Sequence, residues 1–319
     1  SGCSTMYDLT GHGVVMFGED RVLPYIMASD NTSGACSTAE GVGPAIGALG
    51  PVVNKFKIFI SLGAFDCEKD RAVEQEFRYL KAMRNADSVE AQDALNQQKK
   101  HLAKAAQRAY EGYQAYVAVY GEPGGECPST ENIFGQKNET DELYQLIGML
   151  NGVFAVTSDM SSDSLSGIPI DMIPRVLRGL QCLDNERWWG LPQGVEALVS
   201  IMLMDDTAQD PYQEMERAVA TGNAQGVRLV QTVEAMLYLG QGKKKELRNM
   251  IRNHVESKIN QPSNPKYRFL DAMATKQIQV VSDLLWVEAT GMKTPFNKLG
   301  MFWDDKTELS EAIDIDSLL

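Results

Sequence analysis

The amino-acid sequence predicts an all-α fold: stacked helix–turn–helix pairs of the tetratricopeptide-like kind that form one helical domain. Between residues 171 and 290, apolar residues recur with the i, i+3, i+4, i+7 spacing that places them along one helix face. The first helices of three successive pairs should start near residues 171, 210 and 243, which are 39 and 33 residues apart. That interval is close to the repeat length of tetratricopeptide arrays.

Capping residues and glycines mark the ends of these predicted helices. Asp210-Pro211 places a carboxylate that can cap a helix just before a proline suited to the first turn. Gly222, Gly240 and Gly242 follow apolar stretches, and glycine readily adopts the left-handed conformation that ends a helix. The predicted boundaries therefore agree with the apolar periodicity.

Helices are also predicted before residue 171. The segment 31–51 is rich in Gly, Ala, Ser and Thr, and we expect a loop there with at most one short helix. Val52–Leu62 has the alternation of a strand, but a helix fits nearly as well and suits the helical surroundings. The other predicted helices are 21–28, 66–84, 87–120 and 141–157.

Length and composition limit the class of protein. The chain has 319 residues, 44% of them hydrophobic, so it can bury a large core. Its formal net charge of −13 argues against nucleic acid as a partner, because phosphate binding needs a basic face. No apolar run approaches the roughly 20 residues that span a bilayer. We predict an N-terminal tether at 1–19, a helical-repeat domain at 20–303 and an acidic tail at 304–319.

The cysteines indicate an oxidising compartment. Cys3, in the opening Ser-Gly-Cys-Ser, is similar to the end of a bacterial lipobox, in which the cysteine becomes lipidated. The alternative is a cloning remnant before an ordinary cysteine. The other four cysteines form an even set, which suits disulfides. Pairing without crossing loops predicts Cys36–Cys67 and Cys127–Cys182; the alternative is four buried thiols.

Sequence motifs of catalysis are missing. The chain has three histidines, His12, His101 and His254, and no two of them have the spacing of metal ligands. Gly-x-Ser-x-Gly, the Walker loop and the dinucleotide-binding glycine motif do not occur. We therefore predict no enzymatic activity, no cofactor and no metal site.

Tyrosines and tryptophans are the main candidates for binding an apolar ligand. Tyrosines recur at helical spacing near residue 120, and each offers an apolar ring with a hydroxyl at its tip. Two adjacent tryptophans cannot face the same way on a helix, so one should be core while the other could line a groove. The predicted wall is Tyr113, Tyr116, Tyr120, Trp188, Trp189, Met202 and Met236, with Glu196 or Asn151 at the polar end. The alternative is that these residues only pack the first helices onto the array.

Several stretches, in order, resemble the T-component family of tripartite transporters, the TatT-like periplasmic helical lipoproteins. They are the Cys3 start, the tyrosine-rich stretch 105–120, Arg-Gly-Leu-Gln-Cys-Leu-Asp at 178–184, Trp188-Trp189, the stretch 276–286 and Phe302-Trp303. The resemblance implies a tetratricopeptide-like periplasmic protein that binds an apolar ligand or partners a solute-binding protein. The chain is equally similar to a helical lipoprotein that serves bacterial sterol trafficking beside a periplasmic carrier.

These expectations describe a lipid-anchored protein of the periplasm, tethered to the outer membrane. It would bind a sterol or related lipid and pass it between membranes, together with a periplasmic carrier. The competing hypothesis is a helical scaffold that docks a periplasmic solute-binding or envelope protein. A large closed cavity between helices would favour the carrier, whereas a filled core with an exposed groove would favour the scaffold.

Overall fold

The computed structural model describes residues 13, 15–129, 138–203 and 210–305. Every regular element in these residues is helical, which confirms the predicted all-α class. A π-helical turn at Gly18–Val22 and a 3-10 turn at Pro51–Val53 accompany the α-helices. The α-helices are α1 (Leu23–Met27), α2 (Thr32–Gly47), α3 (Asn54–Arg84), α4 (Ser88–Tyr120), α5 (Glu139–Ser161), α6 (Met172–Leu180), α7 (Leu191–Leu203), α8 (Pro211–Gln225), α9 (Leu229–Gly240), α10 (Lys244–Asn260) and α11 (Arg268–Thr290).

The three long helices α3, α4 and α5 form the centre of the molecule. α3 and α4 are antiparallel, since Arg78 near the end of α3 donates from Nε to Glu90 near the start of α4, at 2.6 Å. The helices also lie very close: a Cβ added to Gly112 would come within 2.8 Å of the Ser61 Cβ. Asp87 caps α4 by accepting from the Glu90 amide at 3.0 Å, as expected of a helix that opens at this residue.

The helices α6 to α11 form three consecutive pairs in the predicted order. Their first members begin at Met172, Pro211 and Lys244, one residue after each predicted start. The side chain of Asp210 caps α8 by accepting from the Tyr212 amide at 3.0 Å. The second members, α7, α9 and α11, contact one another in succession, so the pairs stack side by side.

One predicted helix end is wrong. Gly222 lies inside α8, which ends only at Gly226, where φ is 69° and therefore left-handed. A Cβ at residue 222 would come within 2.8 Å of the Val227 carbonyl oxygen and 3.0 Å of the Trp189 carbonyl oxygen. Gly222 thus serves the close approach of two backbone segments instead of a helix end.

The segment predicted as a loop at 31–51 is mostly the helix α2. Asn31 caps it by accepting from the Gly34 amide at 3.0 Å. Small residues let α2 lie directly on α3, since a Cβ on Gly63 would come within 2.9 Å of the Ala39 Cβ. Ala39 is the only buried residue within α2, all of which is described. The adjoining helix predicted at 52–62 is correct and continues without a break to Arg84 as α3.

The helical body begins before the predicted boundary at residue 20. Residues 15–22 are helical, and Gly18 is buried against the ring of Phe56. Glu19 lies 3.5 Å from the Lys55 ammonium on α3. The predicted tether at 1–19 therefore includes residues 15–19, which belong to the helical body. Residues 1–12 and 14 lie outside the described part.

The first residues of the predicted acidic tail are attached to α10. The Asp304 carboxylate pairs with Arg248, and Asp305 pairs with Arg252 at 2.7 Å. The ring of Phe302, just before them, lies 4.4 Å from the Arg248 guanidinium carbon. The rest of the predicted tail, 306–319, lies outside the described residues.

Both predicted cysteine pairs are joined. Cys36 of α2 is bonded to Cys67 of α3, with the Cα atoms 5.2 Å apart. Cys127, after α4, is bonded to Cys182, after α6, with the Cα atoms 5.5 Å apart. The first disulfide holds α2 on the central helices, and the second holds the α4–α5 connection on the first helix pair.

Ion pairs join the helix pairs to each other and to the central helices. The ammonium of Lys276 on α11 lies 2.7 Å from both the Asp66 and the Asp70 carboxylates on α3. Arg228, fully buried before α9, pairs with Asp271 on α11 at 2.9 Å. These contacts make one domain of the central helices and the pairs. No helix among the described residues has the length and apolarity to cross a membrane.

Candidate functional site

The predicted tyrosine stripe is packed inside the core. Tyr113 and Tyr116 are 4% and 1% exposed, and their ring centroids are 6.2 Å apart. Glycines of α5 make room for them: a Cβ on Gly148 would come within 2.5 Å of Tyr116, and one on Gly152 within 2.9 Å of Tyr113. The stripe therefore fills the interface between α4 and α5, as the packing alternative expects.

Two of the three tyrosine hydroxyls donate to carboxylates of the protein. Tyr113 donates to Glu122 at 2.9 Å, and Tyr120 donates to Asp141 at 2.8 Å. Burial, with the Glu122 charge nearby, raises the pKa of Tyr116 to about 12. Burial and the neighbouring carboxylates also raise the pKa values of Tyr113 and Tyr120, so all three remain neutral donors at physiological pH.

Asn151 also belongs to this packed interface. It is fully buried and donates through Nδ2 to the carbonyl of Ile58 on α3 at 2.9 Å. A Cβ on Gly112 of α4 would come within 2.3 Å of the same nitrogen. Asn151 thus joins three central helices and lies near Tyr113, as predicted, but its donor is already used by the protein.

Both tryptophans are core residues. Trp188 and Trp189 are 0% and 1% exposed, and Trp189 has a φ of 57°, which lets adjacent rings turn into the same interior. Trp188 Nε1 donates to Glu142 at 3.1 Å. The Trp189 and Tyr267 centroids are 4.7 Å apart in edge contact. The sequence expectation of one core and one groove-lining tryptophan assumed helical geometry, which the left-handed residue breaks.

The remaining predicted residues are not gathered with the tyrosines. Glu196 on α7 is exposed and accepts from Gln181 at 3.0 Å. Met202 on the same helix is 53% exposed, and Met236 on α9 is half-buried. Cys3, the predicted lipidation site, lies outside the described residues.

The larger of the two described clefts lies elsewhere, between α2, α3 and α4. Its volume is about 780 Å³, and it is half open to solvent. None of the predicted ligand residues lines it. It is lined by small and apolar residues and by polar and charged ones: Ala39, Gly43, Pro44, Gly47, Ile60, Ala64, Ala115, Ala118, and Glu40, Asn54, Lys57, Ser61, Glu68, Arg108, Glu111, Gln114.

The acidic side chains of this cleft are neutralised within the protein. Glu40 and Glu68 both bind Arg71, at 2.5 and 2.8 Å, and Glu68 also lies 2.7 Å from His101. Although burial opposes it, hydrogen bonding to His101 and the Arg71 charge lower the pKa of Glu68. Glu111 lies 3.4 Å from Arg108 on the same helix. One end of the cleft therefore carries the Glu40–Arg71–Glu68–His101 network, and Arg108 and Glu111 form a separate pair on α4.

The other end of the cleft carries polar donors that have no partner among the described residues. Asn54 and Lys57 lie one turn apart on α3, and both are half-buried. Because Ser61 lies level with Gly112 in the antiparallel pair, Gln114 on α4 lies level with Phe59, roughly 3 Å along the helix axis from Lys57. The cleft thus has an ion-paired end and an end with unused donors.

A second, smaller cleft of about 460 Å³ lies between α3, α4 and the end of α11. Its charged residues also have partners within the protein: Lys293 lies 3.0 Å from Glu74 and 4.1 Å from the Phe77 centroid, and Asp283 accepts from Gln279 and from the Thr294 amide. Among the described residues, one group has the spacing of metal ligands: Cys36, Glu40 and Cys67. The two sulfurs are joined to each other there, and a disulfide offers no thiolate to a metal.

The sequence missed the α2–α3–α4 cleft because it missed α2. The glycines and prolines in 31–51 usually interrupt helices, and so they indicated a loop. The cap signal at Asn31, followed by Thr and Ser, is the feature that would have indicated a helix there. Nothing in the sequence distinguishes Lys57 from the other lysines. Whether a lysine is paired with a carboxylate depends on which helices pack against it.

No protein-family model matches this chain, and comparisons with curated proteins and with solved structures gave no match. The resemblance to the TatT-like family therefore stays a prediction.

Proposed function

We propose that this is a binding protein, not an enzyme, of an oxidising envelope compartment, and that it carries a sterol or related lipid in the α2–α3–α4 cleft. The observation that carries the proposal is the cleft itself. Its volume of about 780 Å³ is within the range of small-molecule sites, roughly 300–1,000 Å³. Its floor of alanine, glycine and Ile60 side chains suits an apolar body, and its polar ends suit a head group.

The absence of catalytic function is part of the proposal and is supported by how the described histidines are used. His101 is bound to Glu68, and His254 is buried between Gln231 and Thr275. Neither histidine lines the α2–α3–α4 cleft, and His101 lines the smaller cleft instead. The two disulfides support an oxidising compartment, for which we propose the periplasm. We propose that Cys3 anchors the chain to the outer membrane and that a periplasmic carrier exchanges ligand with it.

A scaffold that docks a solute-binding or envelope protein is the second candidate. The packed core at the tryptophans and the half-open shape of the cleft favour it. The small size of the cleft favours the carrier, because stable protein interfaces bury upwards of roughly 1,000 Å² and extend well beyond one cleft. We therefore place the carrier first.

Blocking the cleft tests the proposal. Ala118 is exposed at the cleft edge, so Ala118→Trp should fill the cleft without disturbing the core. Equilibrium titration with fluorescently labelled cholesterol and a labelled phospholipid should show binding to the native protein and at least tenfold weaker binding to Ala118→Trp. Ala289→Trp, at an exposed alanine outside the cleft, is the matched control and should bind as the native protein does.

Two outcomes count against the carrier. If neither probe binds the native protein below ~100 μM, which is weak for a small-molecule site, the scaffold takes its place. If Ala118→Trp and Ala289→Trp bind equally well, the ligand site lies outside this cleft.

A further inference from the structure

The charges of the α2–α3–α4 cleft are asymmetric. Five charged side chains line it: Glu40, Glu68, Glu111, Arg108 and Lys57. The first four are held in the ion pairs with Arg71, His101 and one another described above. Lys57 alone has no hydrogen bond or ion pair to any described residue. The chain as a whole is acidic, with a net charge of −13, whereas the unpaired Lys57 ammonium gives this end of the cleft a positive charge.

The surroundings of Lys57 are suited to hold an anion. The lysine ammonium has three donors and no acceptor, and no described residue accepts from it. Its Cε lies 4.0 Å from the position that a Cβ of Gly47 would take, so the side chain runs along the end of α2. Asn54, one turn away on α3, and Gln114 on α4, roughly 3 Å further along the helix axis, add amide donors that are not used elsewhere in the described structure.

The opposite end of the cleft suits no anion. Glu40 and Glu68 share Arg71, so an incoming anion would meet carboxylates first. Between the two ends the floor is made mostly of small apolar residues, from Ala118 and Ala115 to Ala64 and Ala39, with the hydroxyl of Ser61 among them. Along α3, from Asn54 to Glu68, this distance is roughly 20 Å at the rise of an α-helix.

We propose that the ligand of this cleft is an anionic amphiphile, whose carboxylate or phosphate binds Lys57 with Asn54 and Gln114 while its apolar chain lies along the alanine floor. The inference rests on the proposed function and narrows it, because a neutral sterol would leave Lys57 unpaired. A fatty carboxylate and a lipid phosphate share this chemistry, and the experiment separates the two.

The experiment compares three probes with the same twelve-carbon chain: dodecanoate, dodecyl phosphate and dodecan-1-ol. Each displaces the fluorescent reporter 11-(dansylamino)undecanoate from the full chain. At least one anionic probe should bind the native protein ten- to a hundredfold more tightly than the alcohol, the range of a charge-assisted hydrogen bond. The tighter of the two anions identifies the head group.

Variants of Lys57 assign the effect to this site. Lys57→Gln should remove the preference for the anion, and Lys57→Arg should keep most of it. Lys245→Gln, which removes an exposed charge on α10 outside the cleft, is the control and should leave all three affinities unchanged. Since Lys57 makes no described bond, the thermal unfolding of Lys57→Gln should match that of the native protein.

The outcomes separate this inference from the proposed function. If the alcohol binds as tightly as both anions, or Lys57→Gln keeps the preference, the anionic ligand is excluded while lipid binding in the cleft stands. If none of the three probes binds, the inference is also overturned. The cholesterol and phospholipid titration then decides the proposed function by itself.

Discussion

At the scale of single residues, the side chains that resemble a ligand wall in the sequence are those that fill the core. Tyr116, Trp188 and Trp189 are at most 1% exposed. Tyrosine and tryptophan suit both uses, because each combines a large apolar body with one polar atom. Sequence spacing alone could not separate the two, since the outcome depends on whether a neighbouring helix brings glycine, as α5 does with Gly148, or leaves a gap.

His254 predicts how stability depends on pH. It is fully buried, and burial, with help from the Lys258 and Arg228 charges and against that of Asp271, lowers its pKa to about 4. The folded state therefore binds fewer protons than the unfolded state between pH 4 and 6.5, so stability is complete above about 6.5 and falls as the pH drops. The expected loss is about 3 kcal/mol across this window.

Denaturant unfolding of the native protein and of His254→Gln, from pH 7 to pH 4, measures this effect. Glutamine keeps a buried polar side chain without a titrating group, so its stability should fall less steeply with acid. Identical pH dependences of the two proteins would show that His254 does not carry the effect.

At the scale of elements, the sequence predicted helices whose start is encoded by local chemistry. Asp87 and Asp210 do cap α4 and α8, and the three first helices of the pairs begin one residue after the predicted starts. α2 was missed because what stabilises it is not local. It buries only Ala39 and is held by contact with α3, by Cys36–Cys67 and by the Glu40–Arg71 pair.

Removing the Cys36–Cys67 disulfide should therefore loosen α2 more than the rest of the protein. Serine at both Cys36 and Cys67 should raise amide exchange more strongly throughout residues 32–47 than in α4 and α5, because α2 has so little core of its own. Hydrogen exchange by mass spectrometry measures this directly. By the chain-entropy model, each of the two disulfides contributes about 4 kcal/mol.

Serine at both Cys127 and Cys182 is the matched control. The loss in global stability should be similar, yet the exchange of α2 should stay as in the native protein. Equal protection of residues 32–47 in both variants would mean that packing, not the disulfide, holds α2 in place.

At the scale of the whole molecule, the helix pairs and the central helices are one body. Lys276 binds two carboxylates of α3, and the Arg228–Asp271 pair joins the loop before α9 to α11. The sequence predicted one helical domain but not the ion pairs of Lys276 with Asp66 and Asp70. These partners are 210 and 206 residues away from Lys276 in the chain. The candidate site was beyond prediction for the same reason: it is formed by helices whose contact the sequence does not encode locally.

Location is the prediction that belongs to this scale. If Cys3 is lipidated, expression of the precursor with a signal peptide should place the protein in the membrane fraction, and Cys3→Ala should release it to the soluble periplasm. A processed lipoprotein cysteine carries the two or more acyl chains that stable anchoring requires. Fractionation followed by immunoblotting measures the distribution, and a native precursor that stays soluble after processing would exclude the anchor.

Few contacts hold α2 on the rest of the protein, and this affects how the binding site can change during evolution. α2 supplies one wall of the cleft but only Ala39 to the buried core. Substitution of Gly47, where an added Cβ would come no closer than 4.0 Å to the Lys57 Cε, would reshape that wall at little cost in folding free energy, because the long helices and the pairs do not depend on it. Ligand preference can thus diversify through one helix while the rest of the protein stays constant.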